Sequence, residues 1–288
     1  TDDIDLVVYT AAVHADNPEY AEVVRRGIPM MSRAELLGQI MKNYGEAIAI
    51  SGTHGKTTTT SMVTEILLAA EKDPTISVGG ILHSIGGNIR VGGPELFVTE
   101  ACEYTNSFLS FFPTMEIILN IEADHLDFFK DLDDIRHSFR LFAQKLDEKG
   151  LLIINRDIKN YEEISGGLPC RVVTFGHSSE SDYSAADITY DTFARPTFTL
   201  TEQGKKAGTI TLGVSGEHNV YNALAAIATA KALGIPDTAI AEGLLHFTGT
   251  DRRFEKKGEL NGITIIDDYA HHPQEIAATL KAAHNYPH

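Results

Sequence analysis

Apolar residues along this chain come in short β-branched runs, each separated from the next by a stretch of helical periodicity. Residues 4–10 read as a buried strand. Asn17-Pro18 opens a helix over 18–26, since asparagine caps well and proline suits the first helical position. From Met30 to Tyr44 a second helical stretch sets Leu36, Leu37, Ile40 and Met41 on one face. Strands follow at 46–51, from Pro74 to Val78, and at 95–100, 115–121, 151–154 and 171–175, with helices at 55–70 and about 132–147. Strand–helix alternation with apolar strands predicts a parallel sheet covered on both faces.

After residue 175 the pattern changes. Short strands are predicted at 187–190, 196–202 and 207–214, the last two joined by the hairpin signal Glu202-Gln203-Gly204-Lys205. They predict a small antiparallel sheet beside the parallel one. An Ala-rich helix over 219–233 is closed by Gly234 and Pro236, and a second helix runs from about 237 to 246. Phe247 to Thr250 reads as a hinge, after which a strand–turn–strand–helix pattern begins at Arg253.

The densest chemistry lies at residues 48–60, where an apolar run ends in Ser51-Gly52-Thr53-His54-Gly55-Lys56-Thr57-Thr58 and passes into a helix. Gly52 and Gly55 allow backbone conformations and close approaches that a Cβ would block, so that successive amides can face an anion. The helix adds its free N-terminal N–H groups and the positive end of its dipole. Lys56 can reach terminal phosphates, and Thr57 can offer its hydroxyl to Mg²⁺. The loop is two residues shorter than the usual G-x-x-x-x-G-K-[ST], yet strand, glycines, Lys-Thr and helix occur in order.

Composition changes the picture in two ways. With 288 residues, 43% hydrophobic and 22% charged, the chain has the make-up of a soluble globular protein large enough for two domains. A formal net charge of −16 opposes nucleic-acid binding, which needs a positive field. Two cysteines, Cys102 and Cys170, make no disulfide framework, and no apolar run approaches membrane-span length, so a cytoplasmic protein without membrane insertion is expected. Without an initiator Met, and opening directly in a strand-like run, the chain reads as a fragment of a larger α/β protein.

Three further clusters fall at strand ends, where open α/β sheets collect ligands. Glu100 ends the apolar run Phe97-Val98-Thr99, where a carboxylate serves packing poorly but suits a hard cation. Asn120-Ile121-Glu122-Ala123-Asp124-His125-Leu126-Asp127 places carboxylates and a histidine in one turn, suited to a metal or a substrate. Asn219 and Asn222 share one face of the first turn of the Ala-rich helix; capping explains one of them better than both. Near the end, Asp251-Arg252-Arg253 follows the hinge, and Asp267-Asp268-Tyr269-Ala270-His271-His272-Pro273 follows a strand. An arginine there could swing onto a phosphate. The adjacent histidines project to different sides and no further ligand lies at usable spacing, so no structural zinc site is expected.

These motifs, in this order, resemble those of the Mur ligase family, the ATP-dependent amide-bond formers of peptidoglycan precursor synthesis. The resemblance covers essentially the whole chain. It implies an α/β fold whose mostly parallel, P-loop-type central sheet is flanked by helices and a small antiparallel sheet, with partial Rossmann-like pieces at both ends. It maps 1–44 to the remnant of an N-terminal UDP-substrate domain, 45–249 to the central ATP-binding domain and 250–288 to the start of a C-terminal domain. The segment Thr10–Val13, before Asp16-Asn17-Pro18-Glu19, would face the UDP-sugar.

Residue by residue, the resemblance implies that the loop Gly52, Thr53, His54, Gly55, Lys56, Thr57 and Thr58 binds ATP, with Lys56 on its phosphates. Thr57 and Glu100 would hold one Mg²⁺, and His125 would sit by a second metal near the reacting carboxylate; Glu103 is a secondary candidate. Asn219 and Asn222 would face the adenine or the nucleotide, Arg253 a phosphate, and Asp267 or Asp268 the ribose. Tyr269 and His271 would lie by the amino-acid site. The carboxylate of the sugar substrate would attack the γ-phosphorus of ATP, and an amine would displace phosphate from the acyl phosphate. Ser138 stands where several sister ligases carry a carbamylated lysine, which suits the branch using UDP-N-acetylmuramate and L-alanine, as a monomer or weak dimer. The alternatives are a murein tripeptide ligase of cell-wall recycling and a P-loop nucleotide-binding module without ligase activity. A chain lacking most of two domains is expected to bind ATP and to turn over little.

Overall fold

The computed structural model describes residues 3–284 and residue 286. In chain order the elements are β1 (Val7–Tyr9), α1 (Pro18–Arg26), β2 (Met30–Ser32), α2 (Arg33–Met41), β3 (Glu46–Ser51), α3 (Lys56–Ala69) and β4 (Thr75–Leu82). There follow β5 (Gly87–Arg90), β6 (Leu96–Ala101), β7 (Met115–Ile118), α4 (Leu132–Ala143), β8 (Leu151–Asn155), α5 (Glu162–Ser165) and β9 (Arg171–Gly176). The chain continues with β10 (Tyr183–Tyr190), β11 (Pro196–Glu202), β12 (Lys205–Thr211), α6 (His218–Ala232), α7 (Asp237–His246), β13 (Glu255–Leu260), β14 (Ile263–Asp267) and α8 (Pro273–His284).

One ten-stranded sheet organises the molecule, in the order β12-β11-β10-β9-β8-β7-β3-β6-β4-β5. From β10 to β4 all neighbours are parallel; β11 and β12 continue it antiparallel at one edge, and β5 at the other. The antiparallel unit expected beside the parallel sheet is thus joined to it, through Tyr183↔Phe175 and Ser184↔Gly176. Separate two-stranded sheets, β1-β2 and β13-β14, lie towards the two ends of the chain.

Strand β3 shows why the sheet has two cores. Ile48 and Ile50 pack with α3, α6 and α7, while Ala47 and Ala49 face α4 and the segment before it. Every residue from Ala47 to Ser51 is buried, as a central parallel strand covered on both faces requires. Helix α3 is buried nearly all round, and its hydroxyls are absorbed internally: Ser61 donates to Thr57 O at 2.8 Å and Thr64 to Thr60 O at 2.8 Å. Helix α7 crosses it so closely that a Cβ on Gly243 would lie 2.5 Å from Ile66 Cα.

Three expectations change. Met30–Ser32 is not helical but a strand parallel to β1 (Val7↔Met30); α2 starts only after Ser32, whose hydroxyl accepts from Glu35 N at 3.1 Å while Glu35 reaches back to Ser32 N. That capping box is the boundary signal Ser32-Arg33-Ala34-Glu35. The strand expected over 115–121 ends at Ile118, because Asn120 turns away to bind the loop after β3. Strand β5, which completes an antiparallel edge with β4, carries no clear alternation and was not expected.

Candidate functional site

Strands β3, β6, β7, β8 and β9 run parallel, so their carboxyl ends open on one edge of the sheet. Strand β3 lies between β6 and β7, which both follow it in the chain; the connection from β6 to β7 therefore passes over β3 and creates a switch point at its end. The glycine-rich loop occupies that point, where such sheets bind ligands.

The loop is built into its shape. Gly52 has φ 138° and a Cβ there would meet Leu119 Cβ at 3.0 Å, while Gly55, at φ 82°, begins α3. Asn120 clamps the turn: its carbonyl oxygen accepts from His54 N at 2.7 Å, its amide donates to His54 O at 3.1 Å, and its backbone carbonyl accepts from Thr53 N at 3.2 Å. The Thr53 and His54 amides are therefore satisfied within the chain, and the donors left for an anion are those opening α3. Thr53 also accepts from Glu122 N at 2.9 Å, which ties the loop to the segment after β7.

Lys56 folds back over the loop, donating to Gly52 O at 2.5 Å and pairing with Glu103 Oε2 at 3.0 Å. Burial opposes its charge, but Glu103, itself only 2% exposed, outweighs that and raises the Lys56 pKa. Thr57 Oγ1 donates to Glu100 Oε2 at 3.1 Å, and the other Glu100 oxygen accepts from Gly79 N. Thr57 and Glu100 are thus brought together as hard oxygen donors, next to the ammonium of Lys56. His125 keeps a separate neighbourhood: φ is 51°, the ring lies 4.6 Å from that of Tyr104, and Nε2 is 3.8 Å from Asp124 Oδ2. Ser138, buried on α4, donates to Asn106 Oδ1.

His54 departs most from expectation. Its Nε2 lies 3.1 Å from Glu122 Oε2 and its Nδ1 3.2 Å from Glu275 Oε1 on α8, with the His272 ring 4.6 Å away. Burial works against the charged ring, yet the two carboxylates raise its pKa to about 9. Glu275 is held down to about 2, since its bonds to His54 and to the amides of His271 and His272 outweigh its burial.

Beside the loop lies a cavity of about 410 Å³, lined by Thr58, Asn120, Asn219, Asn222, Arg253 and Asp268 among others. Neither asparagine caps α6: Asn219 donates to Ser215 O at 2.7 Å and Asn222 to Asn219 Oδ1 at 3.0 Å. Asn222 Oδ1 borders Gly55, where a Cβ would come within 2.5 Å of it, so the asparagine pair abuts the loop directly. Asp268 is fixed by Phe254 N at 2.8 Å and Ala270 N at 2.7 Å. Asp267 faces a second cavity of about 530 Å³, together with Thr57, Arg252, Arg253, Lys257 and Tyr269. Arg253 lines both, and its guanidinium lies 5.6 Å from the Tyr269 ring centre. His271, largely exposed, has Nδ1 3.0 Å from Tyr269 O.

Several residues of the first cavity were not legible from sequence. Asn155 ends β8 and Asp157 follows it, and His177 follows β9, bonded to Asp157 at 2.6 Å and stacked on Tyr221 at 3.8 Å. Their positions at or just past the carboxyl ends of parallel strands were the available signal. His218 lines the same cavity; burial pushes its pKa down, with Asp268 offsetting part of that, which favours the neutral ring.

The model of the Mur ligase middle domain matches residues 50–230, well over half of the chain. The chain belongs to the Mur ligase family. The Mur ligase family catalytic-domain model matches residues 1–45, and the glutamate ligase domain model of the Mur ligases matches residues 252–288. Among relatives, the UDP-N-acetylmuramate–L-alanine ligase of Lachnospira eligens is 65% identical over 289 residues, covering 100% of this chain and 63% of that protein. The enzyme of the same name from Agathobacter rectalis is 61% identical, again over 100% of this chain and 63% of its own length. This Mur ligase chain therefore spans just under two thirds of the relatives it matches. Among solved structures, the UDP-N-acetylmuramate-alanine ligase MurC from Thermotoga maritima superimposes with a TM-score of 0.85 at 32% identity, covering 98% of this chain and 64% of that one. Among the described residues no helix is long and apolar enough to cross a membrane.

Proposed function

We propose that the chain carries the ATP-binding core of a ligase that joins L-alanine to the muramyl carboxylate of UDP-N-acetylmuramate. The observation that carries this reading is the convergence, at the switch point of the sheet, of the Lys56–Glu103 pair, the Thr57–Glu100 pair and the asparagine-lined cavity. The 65% identity to a UDP-N-acetylmuramate–L-alanine ligase favours alanine over a tripeptide as the amine substrate. The family models match residues 1–45, 50–230 and 252–288, and a division into 1–44, 45–249 and 250–288 is in keeping with them.

ATP would lie with its phosphates against the start of α3 and its base towards Asn219 and Asn222. Asp268, which shares that cavity, suits the ribose better than Asp267. Lys56 would leave Gly52 O for the phosphates while Glu103 keeps its ammonium charged and aimed. A hydroxyl and a carboxylate oxygen 3.1 Å apart, both hard donors, fit Mg²⁺ at Thr57 and Glu100; bound there it would neutralise phosphate charge. His125 is proposed to sit by a second metal near the substrate carboxylate. Arg253 would take a phosphate, and Tyr269 and His271 would border the amine. The carboxylate oxygen bonds to the γ-phosphorus as ADP leaves; the amine then attacks the acyl carbon, loses a proton and expels phosphate. We infer a cytoplasmic enzyme, in keeping with that cell-wall role, and a monomer or weak dimer.

Titration calorimetry with Mg²⁺ and a non-hydrolysable ATP analogue tests the reading. We expect one nucleotide per chain, with binding weakened at least tenfold in Lys56→Ala. Absence of binding, or binding indifferent to Lys56, would refute the assignment. ADP release that rises only when UDP-N-acetylmuramate and L-alanine are both present separates a ligase from a simple nucleotide-binding module.

A further inference from the structure

Residues 54, 122 and 272 come from three distant parts of the chain, yet one ligand atom from each of His54, Glu122 and His272 falls within 4.8 Å of the others. Each is partly buried, so the grouping is neither a surface accident nor closed to solvent. Among the described residues this is the group of histidine, cysteine and acidic side chains that converges in the manner of a metal site. We propose that His54, Glu122 and His272 bind a divalent transition cation, zinc above all, which ties the segment bearing α8 to the phosphate loop.

The donor chemistry selects the ion. Two imidazoles and one carboxylate suit zinc, whereas Mg²⁺ prefers oxygen alone. Zn–N and Zn–O bonds of about 2.0–2.1 Å put tetrahedral ligand atoms roughly 3.3 Å apart. His54 Nε2 and Glu122 Oε2, at 3.1 Å, already have that separation, and a His272 ring nitrogen lies within 4.8 Å of the ligand atoms of both residues. Three protein ligands leave a fourth position for water or an anion, as in open zinc sites.

An outer partner strengthens the case. A histidine that ligates metal through one nitrogen usually gives its other N–H to a carboxylate, which sets tautomer and ring orientation. Glu275 does this for His54, with Oε1 3.2 Å from Nδ1, and its Oε2 accepts from the His271 amide at 3.2 Å. One carboxylate therefore orients a ligand from the loop and steadies the turn that carries His272. The loop ligand is itself fixed by Asn120 through His54 N and O. A cation bound here would cross-link the loop after β3, the segment after β7 and the turn before α8, which at this point are joined by the contacts of His54 with Glu122 and Glu275. The proposal stands independently of the ligase reading, since it needs neither nucleotide nor catalysis.

Titration of the metal-free chain with zinc, with cobalt as the spectroscopic probe, tests it. We expect one ion per chain with micromolar or tighter affinity, unchanged by millimolar Mg²⁺, and cobalt absorption bands of tetrahedral intensity. His272→Ala and Glu122→Gln should each weaken binding at least tenfold, and Glu275→Gln roughly 10- to 100-fold through the outer partner. His246→Ala, at the exposed end of α7, should leave it unchanged, and circular dichroism of the metal-free variants verifies their fold. Zinc should also slow proteolytic cleavage between residues 247 and 254 in the wild type but not in His272→Ala. No saturable binding, or binding that survives both His272→Ala and Glu122→Gln in folded protein, would overturn the proposal.

Discussion

Glu116 sits in the middle of β7, facing the same way as its register partners Ala49 and Leu152, and it is wholly inaccessible. Neither carboxyl oxygen has a hydrogen-bond partner in the structure. Burial pushes its pKa well above the ordinary value of 4.5, and the charge of Lys145 offsets only part of that. The carboxyl is therefore protonated in the fold and ionised in the unfolded chain over a span of pH above 4.5. A raised folded-state pKa gives stability that is fully present below the unfolded value and is lost as pH rises towards the folded one. The slope over that span is about 1.4 kcal/mol per pH unit for this single group. Glu116→Gln keeps the shape and removes the titration, so wild type minus Glu116→Gln isolates the effect from all other titrating groups. Urea unfolding followed by circular dichroism at pH 5, 6, 7 and 8 should show wild type losing stability against the variant from pH 5 upwards, at up to that slope until the folded-state pKa is reached. Glu116→Leu should exceed Glu116→Gln by about 1–3 kcal/mol, because it also removes the orphaned polar atoms. Parallel stability–pH curves for wild type and Glu116→Gln would refute the reasoning, since the carboxyl would then be ionised or hydrated in the fold.

Two further outcomes follow from packing and charge. Lys56→Met leaves the buried Glu103 without its cation and should cost about 3–5 kcal/mol in thermal or urea unfolding; adding Glu103→Gln should restore most of that stability without restoring nucleotide binding. Gly243→Ala drives a Cβ to 2.5 Å from Ile66 Cα, so the chain should lose about 1–3 kcal/mol from the α3–α7 contact despite alanine's better helix propensity; an unchanged melting temperature would contradict that packing.

Much of this protein was legible in its sequence because the informative signals are local. The hydrophobic repeat marks β3 and α3, the loop from Gly52 to Thr57 joins them, and the order of strands and helices predicts a mostly parallel sheet. Glycines at 52 and 55 are needed by backbone geometry that neighbouring residues impose. Even the boundary before α2 was written locally, in the Ser32–Glu35 capping box. Strand order, by contrast, is decided by which apolar faces cover one another, and that order chooses the partners of every polar group at the strand ends. It sets Glu103 against Lys56 across 47 positions and Asn120 against the loop across 66. It also brings Glu275 to His54 across 221. Adjacent histidines at 271 and 272 look unsuited to a metal when only neighbours in sequence are considered; folding brings residues 54 and 122 beside His272, and the proposed cation site rests on that grouping. Periodicity is a property of neighbouring residues, whereas the chemistry of a site depends on distances that exist only once the sheet has closed around its two cores.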